Sequence, residues 1–243
     1  MERELPGPGV EKDGSGRPRI FRRGRWTVGL LVWPLLLVGC ATSRPAITTA
    51  HPPCPPDNVY RAAPWLADDI KRVAVLPLAC AAPRADLEAG CDALTAVLTE
   101  TLIQSKRFEV VEVPPGALRR LTGRTEWTGE EVLPSDFFDL LRSEYGCDAV
   151  LFDELTAFRA YPPLAVGWRL KLVDVRRREI LWAGDEVFDA RQPAVAAAAR
   201  RFQPHSLWMT AADRETADWL AAHSPSQFGA YSLATLLDTL PVR

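Results

Sequence analysis

Between residues 70 and 190 the apolar periodicity of this chain switches from two to 3.6 and back, which leaves few architectures open. Arg72-Val73-Ala74-Val75-Leu76-Pro77-Leu78 is a short apolar run rich in β-formers, the wording of a buried strand with Pro77 at its end. From Asp86 to Lys106 the period changes: Leu87, Cys91, Leu94, Leu98 and Leu102 recur every three or four residues and predict an amphipathic helix. Phe108 to Val113 alternates again as a second strand, ended by Pro114-Pro115-Gly116. Strand, helix and strand in that order predict a right-handed parallel crossover.

Further along, a short helix is expected over Ala117 to Leu121, then a polar loop through Trp127 and Glu131. Ser135 or Asp136 should cap a helix carrying Phe137, Leu140, Leu141 and Tyr145, stopped by Gly146. Asp148 to Thr156 reads as a strand, and Ala165 to Val175 with Glu179 to Phe188 as a long antiparallel hairpin. In its first arm Val166, Trp168, Leu170 and Leu172 share one face, opposite Arg169 and Lys171, and the tryptophan face should be the core side. Asp185 falls among Leu181, Ala183 and Val187 in the second arm, which predicts a bulge or an exposed edge there. From Pro193 onward, alanine-rich and Leu/Trp-containing stretches predict helices, the last over Ser226 to Leu240. The expected class is α/β, on the border of α+β: a mixed sheet of about five strands flanked by helices over 70–190, with a helical extension over 191–243 packed on it.

Ahead of this lies a segment that is not part of a fold. Arg17, Arg19, Arg22, Arg23 and Arg25 form a cationic cluster, and Trp26 to Val38 is apolar and uncharged, too short to span a bilayer permanently. Leu37-Val38-Gly39 then leads into Cys40, and Gly39 supplies the small residue a peptidase needs beside the cut. Residues 1–16, polar and rich in Gly and Pro, suit no leader, so its start is expected further along. This arrangement resembles the bacterial lipobox. The resemblance implies that residues 1–39 are removed and that the sulfur of Cys40 carries diacylglycerol, with three acyl chains in all. Each buried methylene contributes roughly 0.8 kcal/mol, so two or more chains hold a protein stably at a membrane. Ala41 follows the cysteine where inner-membrane lipoproteins often have Asp, and by that resemblance the outer membrane is the expected destination. Residues 40–69, with Pro45, Pro52, Pro53, Pro55, Pro56 and Pro64, read as a tether that spaces the head from the bilayer.

Removing the leader takes seven Lys/Arg and four Asp/Glu from totals of 29 and 31, leaving 22 and 27 and a net charge near −5. No basic surplus or arginine stripe remains, which argues against a nucleic-acid partner. Arg176, Arg177 and Arg178 are three basic residues between two strands, the pattern of a solvated turn. Beyond Cys40 stand Cys54, Cys80, Cys91 and Cys147, an even number that suits an oxidising compartment. Cys80 with Cys91 is the favoured pair, since one closes the first strand and the other opens the following helix; four buried or exposed free thiols are the competing reading. No CxxC spacing supports a metal or redox site.

The strand wordings Val73-Ala74-Val75-Leu76-Pro77, Phe108-Glu109-Val110-Val111, Cys147-Asp148-Ala149-Val150 and Lys171-Leu172-Val173-Asp174-Val175 before Ile180-Leu181-Trp182 resemble one group of cell-envelope domains. That group includes the curli-secretion lipoprotein CsgG, the penicillin-binding-protein activator LpoB and the N-terminal domain of TolB. The resemblance covers about residues 70–190 and implies an anticodon-binding-like sheet in a domain that binds proteins or assembles. The stretch between Thr122 and Pro134 is short and carries Glu126, Glu130 and Glu131, unlike the lipid-facing hairpins of a CsgG pore.

Chemistry is sparse. His51, His205 and His223 have no spacing that recurs at metal or catalytic sites, and His205-Ser206 belongs to no recognisable triad. GxSxG and phosphate-binding glycine loops are absent from the sequence. Asp153-Glu154 and Asp185-Glu186 are adjacent carboxylates, but strand neighbours point to opposite faces and cannot share a proton. They read as solvated strand ends. Trp127, Trp208 and Trp219 fit core packing better than a partner surface. The expectation is a non-enzyme without cofactor or metal, joined to a membrane through its lipid and to another envelope protein on the periplasmic side. A subunit of an oligomeric secretion assembly and a periplasmic hydrolase or small-ligand binder are the alternatives.

Overall fold

Alternation puts Val73 and Val75 on one face of the first predicted strand and Ala74 and Leu76 on the other, and all four side chains are buried. A strand apolar on both sides requires cover on both sides, and the sheet carries helices on each. The computed structural model describes residues 55–202 and 224–243, all within one compact unit. Among these residues the strands are β1 (Val59–Arg61), β2 (Arg72–Val75), β3 (Ala79–Cys80), β4 (Glu109–Glu112), β5 (Ala149–Arg159), β6 (Ala165–Asp174) and β7 (Ile180–Asp189). The helices are α1 (Ala85–Ser105), α2 (Pro115–Thr122), α3 (Phe137–Tyr145), α4 (Pro193–Arg201) and α5 (Pro225–Leu237).

The open sheet runs β1-β7-β6-β5-β2-β4, with β3 on β5. β2 lies parallel to both β4 and β5, β5, β6 and β7 form an antiparallel meander, and β1 is antiparallel to β7. The α/β class and the mixed sheet stand, with seven strands rather than about five. The two additions, β1 and β3, are three and two residues long and too short to show a period.

β1 also changes the reading of the 40–69 segment. Val59, Tyr60 and Arg61 pair with Gly184, Ala183 and Trp182, Leu66 is buried, and the Leu66 N–H donates to the Val242 carbonyl. From Val59 on, the chain belongs to the sheet rather than to a spacer. β1 covers the outer edge of β7 and satisfies backbone groups that would otherwise lie open. For the same reason the Asp185 expectation is corrected. β7 is not an edge and the register is regular across Arg169↔Asp185; the bulge of this arm stands instead at Leu181, between the pairs Leu172↔Trp182 and Val173↔Ile180, and a second irregularity falls between Leu155 and Ala157.

One face of the sheet holds the larger core. The α1 stripe, Leu87, Cys91, Leu94, Leu98 and Leu102, is buried against Val73, Val75, Leu151 and Leu155. α5 packs beside α1 so tightly that a Cβ on Gly229 would stand 2.5 Å from Leu94 Cδ2. Trp168 and Trp182, both fully buried, face α5, and their indole N–H groups donate to Ser232 Oγ at 2.8 Å and Thr239 Oγ1 at 3.0 Å. Burying each leucine of the stripe contributes about 1.5–3 kcal/mol, so this core carries most of the hydrophobic stabilisation.

The other face is covered by α2 and α3. Phe137 of α3 sits between Trp127, 5.6 Å away edge-on, and Phe152 of β5, stacked at 5.9 Å. Trp127 is thus a core residue, its Nε1–H donating to Thr122 Oγ1. Asp136 stands at the α3 N-cap position without a side-chain capping bond, while Gly146 ends the helix in the left-handed region at φ 62°.

Candidate functional site

β2 and β4 are parallel neighbours, yet the chain leaving β2 enters α1 on one face and the chain leaving β4 enters α2 on the other. The two connections part in opposite directions beyond the carboxyl ends of the strands. In open α/β sheets such a divergence leaves a crevice where ligands bind. Here it holds a cavity of about 500 Å3, within the range of small-molecule sites. Val75 at the end of β2 and Leu76 to Leu78 beyond it lie along its floor, with Glu112 at the end of β4 and Val113 to Pro115 beyond that. α1 contributes Cys91, Asp92, Thr95, Leu98 and Thr99, and Thr125 and Glu126 close the remaining side. Among the described residues the polar side chains of the lining are carboxylates and hydroxyls, without lysine, arginine or histidine.

Cys91 joins this wall to the neighbouring strand. The structure brings its sulfur into bonding contact with that of Cys80, the Cα atoms 6.5 Å apart, tying β3 to the second turn of α1. Cys147 is buried on the α2/α3 face, and burial pushes its thiol up to about 11, so it carries no thiolate at neutral pH. Cys40 with Leu37, Val38 and Gly39, and also Cys54, His51, His205, Ser206, Trp208, Trp219 and His223, lie outside the described residues.

The reading of Asp153-Glu154 as a solvated strand end is corrected. β5 continues to Arg159, so both residues fall in mid-strand, with β6 on one side and β2 and β3 on the other. Asp153 is fully buried, and neither carboxylate oxygen has a hydrogen-bond partner among the described residues. Alternation puts it on the α1 face, between Leu151 and Leu155 and opposite Leu170. Burial holds its carboxyl well above the ordinary range. Glu154 faces the other way, and the Arg169 guanidinium bridges it at 3.1 Å to Asp185 at 2.8 Å, an ion triad across three strands. The bond to Asp185, with both carboxylates near, raises Arg169. Leu155 and Phe158, apolar beyond Glu154, were the signal that the pair lies inside the strand rather than at its end.

The Arg176-Arg177-Arg178 run forms the β6–β7 turn, with Arg178 in the left-handed region at φ 57°. Each arginine takes a carboxylate: Arg176 pairs with Asp148, Arg177 with Asp69 and Asp174, and Arg178 with Asp139. Burial opposes ionisation of Asp174, but the backbone N–H and guanidinium of Arg177 overcome it and hold the carboxyl below its ordinary value. The run serves the turn and leaves no free basic patch. Among the described residues no group of three or more His, Cys, Asp or Glu side chains is arranged to hold a metal ion, and no helix is long and apolar enough to cross a membrane. Exposed apolar side chains include Tyr60 on β1, Trp65, Tyr161 in the β5–β6 loop and Val242.

No protein-family model and no characterised protein matches the sequence. Among solved structures the chain is similar to the PelC dodecamer from Paraburkholderia phytofirmans, at 15% identity over 76% of this chain and 96% of that one, with a TM-score of 0.41. It is also similar to lipoprotein GNA1162 from Neisseria meningitidis, at 20% identity over 49% and 79%, TM-score 0.34. The LpoB C-terminal domain from Escherichia coli is a third, at 15% identity over 49% and 82%, TM-score 0.32. LpoB is one of the proteins whose strand wording the sequence resembles. At these identities and scores no function passes from them to this chain.

Proposed function

We propose that this chain is a non-catalytic envelope lipoprotein, held at a bilayer by an acylated Cys40, whose α/β head binds another envelope protein. The observation that carries the reading is the order of residues 17–40: five arginines, an uncharged apolar run, Leu37-Val38-Gly39, then cysteine. The proline-rich stretch behind it spaces the head from the lipid, and residues from Val59 on enter the sheet. Two or more acyl chains at one end make the attachment effectively permanent. The head works within the reach of its tether, on the periplasmic face of the outer membrane.

Binding of a protein fits the exposed Trp65, Tyr60 and Tyr161. The Cys80–Cys91 cross-link belongs to the same reading, since a head exported to the periplasm meets an oxidising compartment. A free-thiol count on the non-reduced protein should find neither cysteine reactive.

Metabolic labelling with a clickable palmitate tests the anchor. The native chain should take the label and fractionate with outer membranes, whereas Cys40→Ala should take none and stay with its leader attached. A dark native chain ends the reading. In-envelope crosslinking from Trp65 should then capture one protein neighbour reproducibly; its failure removes the partner and leaves the anchor.

A further inference from the structure

We infer that the end of the sheet carrying the β5–β6 hairpin faces the bilayer and sets Tyr161 in its headgroup region. The inference rests on the proposed lipid anchor and adds to it which surface of the head meets lipid.

Strand directions fix where the tether leaves the head. β5 closes at Arg159 and β6 opens at Ala165, which also pairs with Asp189 at the close of β7. β1 runs antiparallel to β7, with Val59 opposite Gly184 and Arg61 opposite Trp182. Followed towards its N-terminus, the chain therefore climbs β7: the Asp185 N–H donates to the Asn58 carbonyl, and the Asp57 N–H donates to the Glu186 carboxylate. The described residues begin at Pro55, towards the end where β7 closes on Asp189. Residues 40–54 separate Cys40 from that point. Fully drawn out as polyproline they reach about 45 Å at most, whereas the ten residues of β7 alone are about 33 Å long. An acylated Cys40 thus brings the hairpin end to lipid more readily than the opposite end. Trp65 lies at that opposite end, past the Ala62 N–H that donates to the Leu181 carbonyl, and is bridged to Val242.

Three loops meet at the hairpin end. The hairpin carries Ala160-Tyr161-Pro162-Pro163, the β3–α1 connection carries Pro83 and Arg84, and the β7–α4 connection carries Arg191. Tyr161 is 81% exposed although the loop beneath it is closed. Arg159 donates to the Pro163 carbonyl and to Asp189, the Ala190 N–H donates to the Leu164 carbonyl at 2.9 Å, and Leu164 is fully buried. Pro162 and Pro163 fix φ, so the tip is stiff and holds the ring away from the head. A tyrosine presented in this way suits the membrane–water interface, where its apolar ring and polar hydroxyl are both accommodated. Charge does not oppose the approach: Asp86 and Asp189, the carboxylates beside these loops in sequence, are paired with Arg84 and Arg159. One tyrosine holds a free protein on a membrane only weakly, but the tether keeps the local concentration high enough for a weak contact to persist. Of the three exposed aromatics, this gives Tyr161 to lipid and leaves Trp65 and Tyr60 to the protein partner.

Site-specific fluorescence tests the orientation on the full acylated chain. In a Cys54→Ser background, Tyr161→Cys or Trp65→Cys carries a nitrobenzoxadiazole probe. Each protein is reconstituted into vesicles of phosphatidylethanolamine and phosphatidylglycerol with ordinary or brominated acyl chains. The probe at 161 should emit at shorter wavelength on vesicles and lose intensity with brominated chains, and the probe at 65 should do neither. A probe on Ala160→Cys should behave like the one at 161, and adding Tyr161→Asp should abolish its quenching with the circular dichroism spectrum unchanged. A chain that does not float with the vesicles overturns the anchor and the orientation together. A floating chain whose probe at 161 is quenched no more than the probe at 65 overturns the orientation alone. A wavelength shift at 161 in native envelopes but not on vesicles also overturns it, and identifies a protein contact instead.

Discussion

Trp168 and Ser232, 64 residues apart, are joined by a 2.8 Å hydrogen bond from the indole N–H to the serine hydroxyl, and both side chains are wholly buried. The bond ties the centre of the meander to the last helix. The Ser232 hydroxyl donates its own hydrogen bond to the Gly229 carbonyl, so the indole completes its hydrogen bonding. Ser232→Ala leaves a buried donor without a partner and should cost about 1–3 kcal/mol. Trp168→Ala opens a cavity as well and should cost about 3–5 kcal/mol. Urea unfolding followed by circular dichroism measures both, and a Ser232→Ala change below a few tenths of a kcal/mol would contradict the role given to this bond.

Asp153 should make the head less stable as pH rises. Burial raises its folded pKa above the ordinary 3.8, so between 3.8 and that higher value the unfolded chain releases a proton that the folded chain keeps. Its favourable contribution is complete below 3.8 and is lost as pH climbs through the folded pKa. Asp153→Val removes two unpartnered oxygens and should stabilise the head at pH 7 by on the order of 1–3 kcal/mol. The gain should be larger at pH 8 than at pH 5 in parallel denaturation series; an equal gain at both would show that Asp153 does not titrate differently on folding.

Glycine to alanine should have opposite signs at two helical positions. A Cβ on Gly116 in the first turn of α2 meets nothing within 4 Å, so Gly116→Ala should stabilise by up to about 1 kcal/mol. A Cβ on Gly90 in α1 would stand 2.6 Å from Phe158 Cγ and 2.7 Å from Leu155 Cδ2. Overpacking of about 1–3 kcal/mol outweighs the helix gain there, and Gly90→Ala should lower the thermal midpoint.

Cys147 should resist alkylation. With its thiol near 11, iodoacetamide at pH 8 should label it at least about a hundredfold more slowly than a free thiol, and unfolding in urea should restore the normal rate. Peptide mass mapping reads the position directly. Rapid native labelling would mean that the α2/α3 side opens readily.

Periodicity made most elements legible. The α1 stripe, the hairpin face with Trp168 and the glycine stop at 146 are all consequences of neighbouring residues, and each lies within a residue or two of its expected place. The α5 helix was legible as a helix, but nothing local said that Ser232 and Thr239 would receive the two tryptophan N–H groups. β1 escaped because three residues show no period and were surrounded by prolines.

The candidate sites divide along the same line. Cationic flank, apolar run and the Leu37-Val38-Gly39-Cys40 order are contiguous, so the lipid-attachment reading needs no fold. The crevice assembles Thr95, Glu112 and Glu126 from three separated segments, and only the parallel pairing of β2 with β4 brings them together. Asp153 shows the limit of local reading. A carboxylate beside another carboxylate reads as solvent-facing, yet Asp153 lies fully buried on the sheet face that the helix of residues 85–105 covers. The order of apolar and polar residues along the chain determined which segments became strands and helices. Which strand faces were closed to water, and which carboxylates kept access to it, was decided by contacts between segments distant in sequence, because burial depends on what covers a residue and not on its neighbours along the chain.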